Sequence, residues 1–490
     1  LVWLHVLQTK GLNFSVNDLA EAWLNHITYP FDEYGVAISN LKRGLRPPIS
    51  GYHNNFFHNC MGAPIRSEIW AFISPGQPLK AMEFAYLDAV VDHAFEGVYG
   101  EVFFAVIESM AFIESRPDIL IEYGLAAIPG DSLVAKAVRD TIKWYHQGLS
   151  WLEIRDRILL HYGHHNFTDC PQNIAFVILG WLCGGGDFEK SITMAVNCGY
   201  DTDCTGATLG AILGVIYGSE GIPQKWKEPI GSEVIVGSGV VDINAPKTLA
   251  ELTKLTCSFG EKLFSEEAFD LEKIRSRSRE LDEKYHKTFA FYENDNCSYV
   301  VDYLDSPVIN ENEKTLRIAD LHAEAAKTGK IEIPLLQPVC WSLKTVADDA
   351  SETKKYWFTE DGILKLSEMD NAREIHLESY VYFCEPVKLR LLVDINGQAE
   401  VRVNGKITHS YHNHDPLMPA PHRCPPEDIA LLDWQQGWNK ISIKITRCCR
   451  ECADQGWFLL PDLDNHIDTT ASYPASVQEF QKISDGFEKS

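Results

Sequence analysis

Asp201 and Asp203 stand one residue apart in GYDTDCTGATLGAILGVIYG (Gly199–Gly218), and glycines then recur every fourth residue at Gly206, Gly210, Gly214 and Gly218. Two carboxylates this close repel each other, and a helix that starts beside them offsets part of the cost through its dipole. A divalent cation removes the penalty, and hard Mg2+ or Mn2+ favours oxygen donors of this kind. Thr202 and Thr205 offer hydroxyl oxygens at the same helix start. Each glycine weakens a helix interior by ~1 kcal/mol relative to Ala, so a packing reason is required. A ridge without Cβ atoms lets the helix approach its neighbours closely, and we expect it to carry the helix N-terminus to the centre of a bundle. The plain alternative is that Asp201 caps the helix and Asp203 only stabilises its first turn.

The elements that must position these acids are helical. SVNDLAEAWLNHI sets an N-cap Ser15 three residues before Asp18 and continues with apolar residues at helical spacing. GQPLKAMEFAYLDAVVDHAF, GEVFFAVIESMAFIES, DSLVAKAVRDTIKWYHQG, SWLEIRDRILLHYG and DFEKSITMAVNCG follow, punctuated by Ser, Asp or Gly. Ile174 to Cys183 is a greasy buried-helix candidate. About seven or eight helices with short turns predict an all-α domain over residues 1–262. EEAFDLEKIRSRSRELDEKYHKTF predicts a charged linker helix over 263–290. Beyond it, residues 291–490 turn to alternating, Val/Ile/Tyr-rich segments with hairpin signals at Asn396-Gly397 and Asn404-Gly405. The expected fold class is therefore multidomain, an all-α helical bundle followed by an all-β sandwich or jelly roll.

The totals exclude several functions. The chain has 490 residues, a formal net charge of −25, 45% hydrophobic and 23% charged residues. That balance is globular, and it opposes nucleic acid or anionic lipid as a partner, because both need a basic face. No apolar run reaches the ~20 residues of a membrane span. Thirteen cysteines, mostly single within apolar segments, suit reduced buried thiols and favour a cytoplasmic setting. CCREC (Cys448, Cys449, Cys452) lacks a second Cys/His pair at zinc spacing. The start, LVWLHVLQTKG, has neither Met nor a signal pattern, and reads as a fragment or processed product, so export stays open.

GYDTDCTGATLGAILG resembles the C-terminal metal motif of the ADP-ribosylglycohydrolases, the group that includes dinitrogenase-reductase-activating glycohydrolase. CMGAPIRSEIW (Cys60–Trp70), PGQPLKAMEFAYLDAVVDHAFEGVYGEVF (Pro75–Phe103) and GGGDFEKSITMAVNCG (Gly184–Gly199) extend the likeness over roughly residues 1 to 260. The resemblance implies an all-α bundle with a binuclear Mg2+ centre that hydrolyses N- or O-glycosidic bonds of ADP-ribose. It makes Asp201 and Asp203 metal ligands. The next family position is often Thr or Ser but here is Cys204, a poor Mg2+ ligand, so Thr205 stands in as the third candidate. His93 matches a histidine of the family's central helix, near the substrate. Gly62, Arg66 and Ser67 in GAPIRS suit substrate binding: the glycine admits backbone N–H groups close to a phosphate or ribose, and Arg66 can pair with a diphosphate. A buried ion pair of Arg66 with Glu68, Asp88 or another acid is the alternative, and Asp88 is expected to orient a turn. His164, His165 and Asn166 lie on a polar loop, read as solvated. The family's N-terminal acid-rich metal motif, where the water-activating acid resides, has no counterpart here and is expected before Leu1, so no catalytic residue is assigned.

VDINGQAEVRVNGKITHSY and GWNKISIKITRC are similar to galactose-binding-like jelly-roll modules. Trp434, Trp438 and Trp457 are candidates for a sugar platform, with Trp438 and Trp457 expected in the core. The expected function is Mg2+-dependent glycohydrolysis of an ADP-ribosyl or related ribosyl or glycosyl adduct. The alternative is a non-catalytic binder of ADP-ribose or a glycan.

Overall fold

The structure is a computed structural model, and it describes residues 1–28, 32–42, 45–53, 55–164, 166–265, 268–294, 330–333, 340–347, 350–358, 363–364, 372–395, 397–413, 429–446, 456–459, 471–474 and 477–488. CCREC and His165 fall outside them. Two compact units emerge, one helical through Asn294 and one holding the strands and the last helix. No described helix is long and apolar enough to cross a membrane.

The helical unit runs α1 (Val2–Lys10), α2 (Val16–His26), α3 (Asp32–Lys42), α4 (Ile49–Tyr52), α5 (Ser67–Phe72), α6 (Pro78–Ala89), α7 (Glu96–Ala111) and α8 (Pro117–Ala126). It continues with α9 (Leu133–His146), α10 (Trp151–Tyr162), α11 (Cys170–Cys183), α12 (Phe188–Asn197), α13 (Thr202–Gly221), α14 (Gln224–Lys227), α15 (Leu249–Leu263) and α16 (Leu271–Asn294). The count goes well beyond the seven or eight that periodicity alone suggests, and short pieces such as α4 and α14 account for only part of the excess. At α2 the capping box forms as its sequence requires: the Asp18 N–H donates to Ser15 Oγ at 3.2 Å and the Ser15 N–H to Asp18 Oδ2 at 2.8 Å. α7 is buried along its whole length, and α5, α6, α8 and α13 pack around it. α16 turns Ile274, Ser278 and Tyr285 inward, stacks Tyr285 on Tyr86 at 5.5 Å, and accepts the Tyr99 hydroxyl on Asp282 at 2.7 Å. The charged helix is thus packed on the bundle along one stripe.

Of the four evenly spaced glycines on α13, only Gly206 is crowded: an added Cβ would meet Val196 Cγ2 of α12 at 2.9 Å. Gly210 and Gly214 leave ordinary contact distances of 3.6 and 3.7 Å, and Gly218 (φ 67°) breaks the helical geometry. The close-approach ridge expected from the sequence is therefore one position long.

The second unit comprises β1 (Lys330–Ile333), β2 (Cys340–Ala347), β3 (Glu352–Phe358), β4 (Ile363–Leu364), β5 (Ala372–Phe383), β6 (Val387–Ile395), β7 (Gly397–Val403), β8 (Lys406–Asn413), β9 (Ile429–Trp434), β10 (Gly437–Thr446), β11 (Gly456–Leu459), β12 (Ala471–Pro474) and α17 (Val477–Glu488). One sheet is ordered β1-β12-β5-β10-β7-β8 with β2 added against β5 and β3 against β2, and the other β4-β11-β6-β9. Both are antiparallel throughout the described pairs. Ile441, Ile443 and Ile445 of β10 meet Leu389, Leu391 and Val393 of β6 in one buried core, which is the sandwich arrangement. Tyr380, on the opposite face of β5, packs on Phe480 of α17 at 4.9 Å.

Asn404-Gly405 forms the expected β7–β8 hairpin turn, with φ of 49° and 78°. The other hairpin expectation is corrected. Asn396 itself is outside the described residues, but the strands flanking it, β6 and β7, belong to different sheets. Trp434 offers no platform either: it is 2% exposed and its Nε1–H donates to the Leu389 carbonyl at 3.2 Å. Trp438 is half-buried against Tyr382, and the Trp457 side chain lies outside the described residues.

Candidate functional site

α13 starts at a distorted turn. Gly199 and Tyr200 both take left-handed φ, 80° and 65°, and Asp201 follows at φ −86°, ψ 71° as the N-cap. Asp201 is 3% exposed, Asp203 is exposed in the first turn, and Thr205 is fully buried. The carboxylate oxygens of Asp201 and Asp203 and the Sγ of Cys204 all lie within 4.8 Å of one another. Burial and the two carboxylates drive the Cys204 thiol far up, which keeps it protonated. Thr205 turns its hydroxyl to its own helix, donating to the Thr202 carbonyl at 3.3 Å. Two of the three clustered donors are hard oxygens at a helix N-terminus, a set that fits a hard divalent cation, with Cys204 beside it as a neutral neighbour.

A second cluster gathers Gly62, Arg66 and His93. Arg66 Nη1 and Nη2 donate to Asp92 at 2.9 and 2.7 Å, Nε to Asp88 at 3.2 Å, and Nη1 also to the Gly62 carbonyl at 2.8 Å. Glu101 stands 3.9 Å from the same guanidinium, and the Trp23 and Tyr34 rings flank it at 5.4 and 5.7 Å. One cation thus faces three buried carboxylates. Burial pushes Glu101 well above the usual carboxylate range, while Arg66 and His93 outweigh burial at Asp92 and hold it low. Asp88 also accepts the Trp70 indole N–H at 2.8 Å. Of the alternatives open for Arg66, the geometry realises the buried ion pair. Ser67 is buried and donates to the Pro64 carbonyl at 2.8 Å.

His93 does not lie in a helix, contrary to expectation. α6 ends at Ala89 and the chain tightens into a turn, with the Val91 N–H on the Asp88 carbonyl at 3.0 Å, while Ser50 Oγ donates to the Val91 carbonyl at 2.7 Å and Asn55 Nδ2 to that of Asp92 at 2.8 Å. The turn sets the buried His93 ring with Nδ1 3.0 Å from Asp92 Oδ1 and Nε2 3.9 Å from Glu33 Oε1. Gly62 makes room for this pair: an added Cβ would fall 1.7 Å from Glu33 Oε1 and 3.2 Å from His93 Cε1. Burial, Asp92 and Asp32 raise Glu33 well above its ordinary value. Burial first, and then the charge of Glu33 among others, raises both the Cys60 and Cys204 thiols.

Sequence reasoning missed Glu33, Asp92, Glu101 and Asp169. Asp92 adjoining His93 and Glu101 inside an apolar run were visible signals, whereas nothing near Phe31-Asp32-Glu33-Tyr34 announced a partner 60 residues away. The 163–169 loop is not simply solvated. His164 is partly exposed, but Asn166 is buried with Nδ2 3.0 Å from Cys60 Sγ, and Cys60 bridges to Asp169. Burial and Glu96 raise Asp169 to about 7. A groove of about 310 Å³ between α6 and α16 contains none of these residues, and its Arg277 is already paired with Glu83 and Glu280.

No curated protein matches the chain significantly. The family model for ADP-ribosylglycohydrolase matches residues 1–258, which is more than half of the chain and contains both clusters. The family is metal-dependent, and the acids at the start of α13 are its candidate ligands here. The chain belongs to the ADP-ribosylglycohydrolase family.

Proposed function

We propose that this protein is a Mg2+-dependent glycohydrolase, with Mn2+ as a substitute, that cleaves the glycosidic bond of an ADP-ribosyl or related ribosyl adduct. The coarser part, a hydrolase of the ADP-ribosylglycohydrolase type, comes with the family. The observation that carries the finer reading is the convergence of the buried Asp201 and the exposed Asp203 at the start of α13. A cation bound there supplies Lewis acidity and orients ribose hydroxyls and water.

The remaining roles fall to the chain itself. Gly62 makes room for Glu33 beside the buried His93, while Arg66 and Ser67, whose donors are taken internally, shape the loop that carries Gly62. Glu33, whose burial favours the protonated form, donates its proton to the leaving atom as the glycosidic electron pair moves onto that atom. Water adds to the anomeric carbon, and its surplus proton restores Glu33. Asp92 fixes the His93 ring so that Nε2 faces Glu33.

Turnover of ADP-ribosylated arginine and serine peptides with and without Mg2+ tests this. The reading requires product only with the cation and none from Asp203→Asn at an unchanged melting temperature. Wild-type turnover by that variant refutes it. Binding heat for ADP-ribose with no product from any substrate would favour the non-catalytic binder.

A further inference from the structure

Asn173, in the first turn of α11, is fully buried and uses its amide in three directions. Its Oδ1 accepts the backbone N–H of Asp201 at 3.2 Å. Its Nδ2 donates to the Phe167 and Asp169 carbonyls, both at 2.8 Å. The orientation is forced, since two carbonyls need donors and an N–H needs an acceptor.

The turn it grips would not hold its shape unaided. Tyr200 is a non-glycine residue in the left-handed region, and Asp201 sits in an inverse γ-turn conformation, with the Thr202 N–H on the Tyr200 carbonyl at 3.1 Å. Arg155 secures the preceding Cys198 carbonyl at 2.7 Å, and the Phe176 ring lies against Tyr200 at 5.8 Å. Asn173 alone of these three bonds the backbone of the acidic residue itself. Through Asp169, which pairs with Cys60, and the neighbouring Thr168, whose carbonyl accepts the Met61 N–H at 2.9 Å, the same amide connects to the turn leading into Gly62.

We propose that Asn173 is the positioning residue of the Asp201–Asp203 pair, fixing its geometry for a divalent cation and coupling it to the loop that leads to Gly62. This rests on reading those aspartates as cation ligands. Partners of this supporting kind typically change metal affinity 10–100-fold when lost.

The test is calorimetric titration of the full chain with Mg2+ and with Mn2+, for wild type and the near-isosteric Asn173→Leu, below the melting transition of both. The expected result is a dissociation constant raised ~10–100-fold in the variant. Wild-type affinity in a folded Asn173→Leu overturns the inference and leaves the cation reading standing; no binding by wild type removes the cation reading first. Should the variant not fold, hydrogen exchange of the Asp201 amide in wild type decides. Slow exchange that slows further with Mn2+ supports the inference, and exchange at the rate of an open loop overturns it.

Discussion

Replacing Arg66 by Met removes the guanidinium that faces Asp88, Asp92 and Glu101 together. Arg66 is 13% exposed at the side chain and the three acids 0%, so solvent cannot take its place. Stripping one partner from a buried ion pair typically costs ~3–5 kcal/mol. For a unit of this size 1 kcal/mol moves the midpoint by ~2–4 °C, which gives a fall of ~6–20 °C for the helical unit. The loss must depend on pH. In wild type, Asp92 is held below 3.8, so its contribution is present above that value and disappears as pH falls through the lower folded value. Without Arg66 the folded acids bind protons more tightly than the unfolded chain does, so stability falls as pH rises. The deficit is therefore greatest near pH 7 and shrinks toward pH 4. Thermal unfolding followed at 222 nm across that range reads it out. A variant within 1 kcal/mol of wild type at pH 7, or a deficit indifferent to pH, would refute the reasoning.

Gly210→Ala places its methyl 3.6 Å from Ile192 Cδ1 and should stabilise α13 by ~0.5–1 kcal/mol, whereas Gly206→Ala, 2.9 Å from Val196 Cγ2, should lose that gain or reverse it; paired urea titrations decide. Asp169 titrates at about 7 in the folded protein against 3.8 ordinarily, so stability should decline as pH climbs through that interval, and Asp169→Asn should lack the decline in melting temperature. Glu33→Gln keeps the shape but carries no transferable acid proton; kcat should fall ~100-fold or more with KM little changed, and steady-state kinetics with an unaltered kcat would remove Glu33 from the chemistry.

Local sequence carried the parts of this fold that local physics governs. Ser15 and Asp18 specify their cap within four residues, Asn404-Gly405 its turn, and the alternation in β10 its buried face. Asp201 and Asp203 were legible because their charges clash unless something gathers them. The Glu33–His93–Arg66 assembly was not, since it joins α3, the Gly62 loop and the α6–α7 turn through contacts 26 to 60 residues apart. His93 looked helical because the apolar spacing runs on past Ala89; side chains of Ser50 and Asn55, invisible to any local window, hold the Val91 and Asp92 carbonyls in a turn instead. Gly210 and Gly214 show the opposite failure, a regular spacing without a matching close neighbour.

The central claim is that Asp201 and Asp203 grip a divalent ion. Crystals soaked in Mn2+ and measured at the manganese absorption edge address it directly. The account requires an anomalous peak within ~2.3 Å of a carboxylate oxygen from each aspartate, lost in Asp203→Asn; a map empty at that position in fully occupied, well-ordered wild-type crystals contradicts it.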